Sequence, residues 1–394
     1  MRVLHVSPYF APAYRYGGPI ESVYKLCHEV ARAGCEVRVL TTNADGPRKV
    51  LDVLTNRKYV VAAGLDVMYC RRRLRRTAST QMLRYLLPYV RWADVVHLTA
   101  VYSFPTIPLL MACQLMGKPL VWSPRGAFQR WRGSRRNAAK WIWELACKAM
   151  VPTATILHVT SEEERAESLK RMPGLRAAVI PNGVVIPSKV RHSPGAGTLR
   201  LGYIGRLDPK KGIENLFAAC RLLRDAGMTL KLAVAGGGGE RYTAALKSKV
   251  DALSLGAVVT MLGHVSGAAK ASFFRDIDLL VAPSFTENFC IAVAEALAHG
   301  VPVVASKGTP WQRVEESGCG LWVDNDPRSL AAAVERMNCG GLAEMGGKGR
   351  EWMAAEFSWQ RIAREMCNCY SELVYGGPIF RQDSSQALAH NASA

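Results

Sequence analysis

Short, unbroken apolar runs alternate with segments whose apolar residues recur at helical spacing, and the chain goes through this alternation twice. At the start, "RVLHVS" reads as a strand, "PYFAPAYRYGGP" as a Pro/Gly/Tyr loop, "IESVYKLCHEVARAG" as a helix closing on Gly34, and "CEVRVLTT" as the next strand. After Ile180 the composition shifts to Pro, Gly and Ser in "PNGVVIPSKVRHSPGAGT", and then the pattern restarts. "LRLGYIGRL", "LKLAVAGGG", "VVTMLG", "DLLVAPS" and "PVVAS" read as strands. "GIENLFAACRLLRDAG", "YTAALKSKVDALSLG", "AKASFFRDI" and the stretch through "IAVAEALAHG" read as helices. A strand that is apolar throughout must be covered on both faces, so this order predicts parallel sheets flanked by helices. The 394 residues suit two domains of about 150–200 residues each. The expected division is residues 1–180, a connector at 181–197, residues 198–357, a last helix at 358–375 crossing back to the first domain, and a disordered polar tail at 376–394.

Charge narrows the partners. The net charge is +19; residues 1–190 carry 29 Lys and Arg against 12 Asp and Glu, which leaves 22 against 20 for the rest. The excess is concentrated in "RRRLRR" (Arg71 to Arg76) and "RWRGSRR" (Arg130 to Arg136). Unless it is merely solvated, such a face attracts polyanions: acidic lipid headgroups, nucleic acid or phosphorylated substrates. No nucleic-acid motif accompanies it, so a basic nucleic-acid-binding protein is a remote alternative and no nucleic-acid partner is expected. The 11 cysteines show no disulfide-like rhythm and no Cys-x-x-Cys, which predicts reduced, mostly buried thiols in a cytoplasmic protein. The opening apolar run is too short for a secretory signal. Val95 to Gly117 holds no Asp, Glu, Lys or Arg over 23 residues, a length that could span a bilayer. His97, Pro105, Pro108 and Gln114 interrupt it, and it reads as strand, loop and short helix; His97 itself reads as structural.

In parallel sheets, ligands bind outside the carboxyl ends of the strands, so the loops there carry the chemistry. After "LGYIG" come Arg206, Lys210 and Lys211, cations before a helix N-terminus that suit a diphosphate. After "LAVAG" come glycines 236–239, which let a ligand approach the backbone. After "VAPS" comes "FTENFCIAVAEALAHG", with Glu287 on the loop, a helix from about Asn288, and Glu295 two turns in. A carboxylate accepts two hydroxyls at once, so two acids beside a cationic diphosphate site fit a sugar nucleotide. Taken singly, either glutamate is equally an ordinary cap or surface acid.

In this order and spacing, "GYIGRLDPKKGIENLFAA", the E-x7-E stretch "ENFCIAVAE" and "HGVPVVASKGTPW" resemble the retaining family-4 glycosyltransferases of bacterial surface-polysaccharide type. In the first half "GGP", "VHLTAVYSFP", "SPRGAF" and "ILHVTSEEE…IPNGV" fit as well. The resemblance covers nearly the whole chain. It implies the α/β GT-B fold, two Rossmann-like parallel-sheet domains facing each other across a cleft. It implies a hexosyl-type transfer, with retention, from a nucleotide-diphosphate sugar to a saccharide acceptor, without a metal or other cofactor. Arg206 and Lys211 then hold the diphosphate and stabilise it as it leaves. Glu295 binds the ribose hydroxyls. Glu287 binds the donor sugar, assisted by backbone amides of Asn288, Phe289, Cys290 and Ile291. Gly17 and Gly18 approach the diphosphate from the other side; Gly237 belongs to the glycine loop at the donor. His264 lies where the family reads the base, mostly through backbone. No protein nucleophile is evident, so the acceptor attacks on the face the leaving group departs from. An epimerase of the same fold is the alternative within the class.

Two departures stand out. Position 290 is Cys where the family most often has Gly, which bears on the donor sugar. Arg125, in "SPRGAF", stands where some relatives place a histidine; it cannot act as a base, and it reads equally as a phosphate ligand of donor or acceptor and as a structural ion pair. The first domain is the expected acceptor side. Its basic, Trp-bearing stretch "RWRGSRRNAAKWIWELACK" suits an anionic leaflet, hence a peripheral enzyme on the cytoplasmic face of the membrane acting on a lipid-linked saccharide. The same tryptophans read equally as core.

Overall fold

The structure, a computed structural model, describes residues 1–46, 49–73, 78–129, 137–188 and 197–377. The chain forms two compact units. Of the described residues, one holds those within Met1–Val159, Arg165–Ile180 and 360–377; the other holds those within Thr160–Glu164 and Pro181–Trp359.

The first unit is built on eight strands: β1 (Arg2–Val6), β2 (Glu36–Thr42), β3 (Lys58–Ala62), β4 (Leu65–Cys70), β5 (Val95–Thr99), β6 (Leu120–Ser123), β7 (Thr155–Val159) and β8 (Arg176–Val179). They lie in the order β3-β4-β2-β1-β5-β6-β7-β8, and only β3 runs antiparallel to its neighbour. β1 sits centrally, with Val3 opposite Val37 on one side and Val95 on the other. Every residue of β5, β6 and β7 is buried, the pattern a parallel sheet covered on both faces demands. The uncharged run Val95–Gly117 divides into β5, a loop and the helix Thr106–Leu115. Among the described residues no helix is long and apolar enough to cross a membrane.

The second unit has six parallel strands: β9 (Leu199–Ile204), β10 (Leu230–Ala235), β11 (Val259–Gly263), β12 (Leu279–Ala282), β13 (Val303–Ser306) and β14 (Gly320–Val323). Their order is β11-β10-β9-β12-β13-β14, so the chain winds outward from β9 in one direction and resumes on its other side with β12. The loops leaving β9 and β12 therefore emerge side by side at the point where the winding reverses, the place where such sheets open a crevice. The helix Leu342–Glu356 ends at Phe357, and Trp359–Tyr375 forms the last helix. The connector segment passes alongside that break: the Val184 amide donates to the Phe357 carbonyl at 2.8 Å. Residues 189–196 of the connector, 378–394 of the tail, 74–77 with the end of the first basic cluster, and all of Arg130–Arg136 lie outside the described residues.

All 11 cysteines are free thiols, nine of them buried; Cys290 is half-buried and Cys339 exposed. His97 is also a core residue, wholly buried on β5 with both ring nitrogens in hydrogen-bond contact.

Candidate active site

The site in the second unit starts where β9 stops. Tyr203 turns its hydroxyl onto the Arg206 carbonyl (3.1 Å), and the Asp208 carboxylate caps the turn Pro209–Lys211 through the Lys210 amide (3.1 Å). The next residue, Gly212, has φ 61°, and a Cβ there would lie 2.1 Å from the Pro283 carbonyl oxygen. Only glycine lets this loop lie flush on the loop after β12. The two loops are joined further by the Phe285 amide donating to the Lys210 carbonyl (2.8 Å) and by Asn325, whose Nδ2 donates to the Pro283 carbonyl.

This seam brings Lys211 onto Glu287, and the two form an ion pair. Ser284 donates its hydroxyl to the same carboxylate oxygen at 2.9 Å. The side chains are 16% and 10% exposed, so the pair is largely withdrawn from water. Lys210 stands beside it. Burial lowers the pKa of its ammonium, Lys211 and Arg206 push it further down, and Glu287 and Asp208 oppose them. Three cations thus share the mouth of β9 with two carboxylates, and an arriving anion relieves their mutual repulsion. Arg206 is exposed, and among the described residues no carboxylate pairs with it.

The loop Asn288–Cys290 is held from both sides. Asn288 donates its side-chain amide to Thr160 Oγ1 at 2.9 Å. Phe289 is buried against the Trp311 ring, and the Trp311 indole donates to the Phe289 carbonyl at 2.5 Å. The helix then begins at Ile291, three residues later than the sequence pattern suggests, because Cys290 takes the left-handed conformation (φ 59°, ψ 66°). Burial and the neighbouring Glu287 push the Cys290 thiol up from its ordinary range, favouring the protonated form. The left-handed region costs a residue with a Cβ about 1–2 kcal/mol. Cys290→Gly is accordingly expected to hold or raise the urea midpoint. Cys290→Val, β-branched, is expected to lower stability by about 1–2 kcal/mol. Equal midpoints for the two variants would show that position 290 carries no strain.

Glu295, on the helix Ile291–Ala298, takes the Lys270 ammonium at 2.6 Å. Gly237 is exposed; its carbonyl accepts from the Leu207 amide (2.9 Å), tying the glycine loop to the β9 loop. At Gly236 (φ 151°) a Cβ would lie 1.8 Å from the Gly205 carbonyl oxygen. His264 is exposed directly after β11, next to Gly263, whose carbonyl accepts the Gly236 amide at 2.6 Å. In the first unit, Gly17 (φ 86°) caps the helix Gly18–Arg32, and both glycines are exposed. Arg125 (φ 52°) follows β6 and acts electrostatically on the buried histidines beneath it.

The structure thus gathers Arg206, Lys211, Glu287, the loop from Asn288 to Ile291, Gly237 and Glu295 at the carboxyl ends of one sheet. Lys210, Lys270, Ser284, Thr160 and Trp311 complete this set. Of these, Lys210 is visible in the sequence as part of the cationic loop, and Thr160 and Trp311 fall within stretches that carry the resemblance, but the contacts that bring them here carry no local signal.

Residues 16–186 match the family Glycosyltransferase Family 4, and residues 190–342 match Glycosyl transferases group 1. The two regions divide most of the chain between them, and the fold that carries them is the GT-B fold, two parallel-sheet α/β units. Among its relatives is an uncharacterized glycosyltransferase of Methanocaldococcus jannaschii, 31% identical over 176 residues, 43% of each chain. A phosphatidyl-myo-inositol mannosyltransferase of Mycobacterium leprae is 35% identical over 213 residues, 52% of this chain and 56% of the other. A putative colanic acid biosynthesis glycosyltransferase of Escherichia coli is 28% identical over 189 residues, 45% and 46% of the two chains. The chain spans about half the length of the curated relatives it matches. The fold is shared with sucrose-phosphate synthase from Thermosynechococcus elongatus (TM-score 0.74, 20% identity, 96% of this chain and 100% of the other). It is shared also with Anabaena HepE, solved with UDP-glucose (TM-score 0.71, 16% identity, 94% and 100%).

Proposed function

We propose that the protein transfers a hexosyl group from a nucleotide-diphosphate sugar to a saccharide acceptor, with retention and without a metal, in building a surface polysaccharide. The observation that carries this is the crowding of Arg206, Lys210 and Lys211 at the mouth of β9, with Glu287 held against Lys211. A diphosphate relieves that repulsion, and the cations are most useful when the sugar bond breaks and charge gathers on the departing phosphate. In the step proposed, the acceptor oxygen bonds to the anomeric carbon on the face from which the phosphate oxygen leaves. The acceptor proton passes to that phosphate oxygen. Glu287 orients the sugar hydroxyls, with the amides of Asn288 to Ile291 beside it. Glu295 takes the ribose hydroxyls, exchanging part of its contact with Lys270. Gly237 and His264 supply close backbone approaches. Arg125 is assigned to a phosphate of donor or acceptor.

Support for the donor class comes from neighbours of the same fold solved with UDP or a UDP sugar, and for the polysaccharide from the colanic acid relative. The mannosyltransferase relative supports a lipid-linked acceptor.

The test is a thermal-shift screen of UDP, GDP and ADP sugars, run beside Glu295→Ala. One nucleotide class is expected to raise the wild-type melting point by mass action, with most of the shift lost in the variant. No shift with any donor at saturating concentration would count against the reading. Donor turnover without sugar appearing on an acceptor would favour the epimerase.

A further inference from the structure

Three neighbouring helices of the first unit, Thr80–Trp92, Thr106–Leu115 and Asn137–Met150, pack side by side. Their outer face is unusually apolar. Leu83 and Leu87 are exposed on the first helix, Met111 and Leu115 on the second, and Trp141, Ile142 and Leu145 on the third. Leu115 is 81% exposed and Trp141 60%. Each set is spaced about one helical turn apart, so each forms a stripe on one side of its helix.

The third helix separates its two tryptophans by role. Trp143 turns inward and donates its indole N–H to the Val101 carbonyl at 2.8 Å, while Trp141 stands in solvent. The tryptophans of the sequence are thus both core and surface; Trp131 lies outside the described residues.

Charge on these helices has one sign at the surface. Arg84, Arg91 and Lys148 are exposed, and among the described residues no carboxylate pairs with them. The one acid in the three helices, Glu144, is 3% exposed and accepts the Tyr102 hydroxyl inside the unit. The face therefore offers large apolar side chains among cations and shows water no negative charge.

We propose that this three-helix face docks on an anionic lipid surface, its apolar stripes entering the headgroup boundary and its cations contacting acidic headgroups. Indole and branched aliphatic side chains ringed by Lys and Arg are the composition that favours that depth. Each cation near an anionic leaflet strengthens partition by roughly fivefold. A second copy of the chain is the poorer occupant, because a self-complementary contact would set these cations against one another with no acid between them. The docking deepens the lipid-linked acceptor reading given above and rests on it for its purpose, since a face held at the membrane meets an acceptor embedded there.

The experiment is co-sedimentation with vesicles of phosphatidylcholine alone or mixed with phosphatidylglycerol, at low and high salt. It compares wild type with Ile142→Glu/Leu145→Glu and Arg84→Gln/Arg91→Gln. All four positions are exposed, and a nucleotide-sugar thermal shift on each protein reports folding and the donor site separately. Wild type is expected to pellet with the mixed vesicles and to be released by salt. Each double variant is expected to lose about tenfold or more in partition with its donor shift intact. Wild type left in the supernatant with mixed vesicles overturns the docking, as does undiminished binding by the glutamate variant. So does a wild-type dimer in sedimentation velocity that the glutamates abolish while no vesicle binds, which assigns the face to a second copy. If vesicles bind as expected and no nucleotide sugar shifts the wild type, the transferase reading fails and the docking stands.

Discussion

Lys211→Ala is expected to slow sugar transfer by roughly a hundredfold to a thousandfold, the usual loss when one fixed charge aimed at a departing group is removed. The geometry gives the lysine two tasks. Its ammonium neutralises Glu287, and it stands with Arg206 and Lys210 where the diphosphate is proposed to leave. Removing it leaves a carboxylate that is 10% exposed without its cation, at a cost in stability of about 1–3 kcal/mol. A loss of rate in the single variant could therefore come from a disturbed loop. The double variant Lys211→Ala/Glu287→Gln separates the two. With the uncompensated carboxylate gone, the melting point is expected to recover, and transfer is expected to stay as slow as in the single variant or slower. Lys211→Arg keeps the charge and is expected to lose less rate than alanine. Recovery of transfer in the double variant would mean that Lys211 acts only by holding Glu287 and has no hold on the leaving group.

Much of this site is legible in the chain because cations, glycines and acids occupy consecutive loops of one βα layer. Their pairing is not. Lys211 and Glu287 lie 76 residues apart and meet because β12 is laid beside β9, an order no local pattern encodes. Lys270 is missed for the same reason, being an ordinary cation on the short helix Gly267–Arg275 until that helix comes beside Glu295. Trp311 is legible as a bulky residue after a Gly-Thr-Pro turn, yet its donation to the Phe289 carbonyl depends on β13 lying next to β12. The start of the following helix is misplaced by three residues because apolar spacing runs straight through Asn288 to Ile291, while Cys290 leaves the helical region of backbone space. In the first unit, the edge strand β3 has no inward-facing apolar pattern, with Val60 75% exposed, so periodicity does not reveal it. Among the parallel strands, β5, β6, β7, β12 and β13 are wholly buried, and that burial gives them the apolar signature that makes them legible.

The first unit is expected to lose stability steeply as pH falls from neutral, and the cause is a buried chain of neutral histidines. His158 Nε2 lies 2.9 Å from the Ile180 carbonyl, which can only accept, so that nitrogen carries the proton. His158 Nδ1 is then an acceptor, and Ser123 donates to it at 2.7 Å. The Ser123 oxygen accepts from His97 Nε2 at 2.6 Å, and His97 Nδ1 accepts the Tyr370 hydroxyl at 2.6 Å. Every link is satisfied once, and a second proton on either ring would turn an acceptor into a donor facing a donor. His5, whose ring centroid is 4.5 Å from that of His97, is buried as well. Burial, with Arg125 adding to it, brings the His5 pKa down to about 3. Burial does the same in direction for His97, with the neighbouring histidines adding, and for His158, with Arg125 adding. In the unfolded chain a histidine binds its proton near pH 6.5. Below that pH the unfolded state takes up protons that the fold refuses, so stability falls as pH falls. The slope is up to about 1.4 kcal/mol per pH unit for each ring, or about 4 for three. Ion-paired carboxylates such as Asp94, which Arg2 holds below the usual carboxylate range, do not contribute until much lower pH. Urea unfolding of the first unit between pH 7.5 and 5 is therefore expected to show a fall that begins near pH 6.5. His5→Gln, which leaves the Tyr370-to-Ile180 chain in place, is expected to reduce that fall by about a third. A flat profile over this window would mean that the rings take up protons within the fold, and the neutral chain from Tyr370 to Ile180 would be wrong.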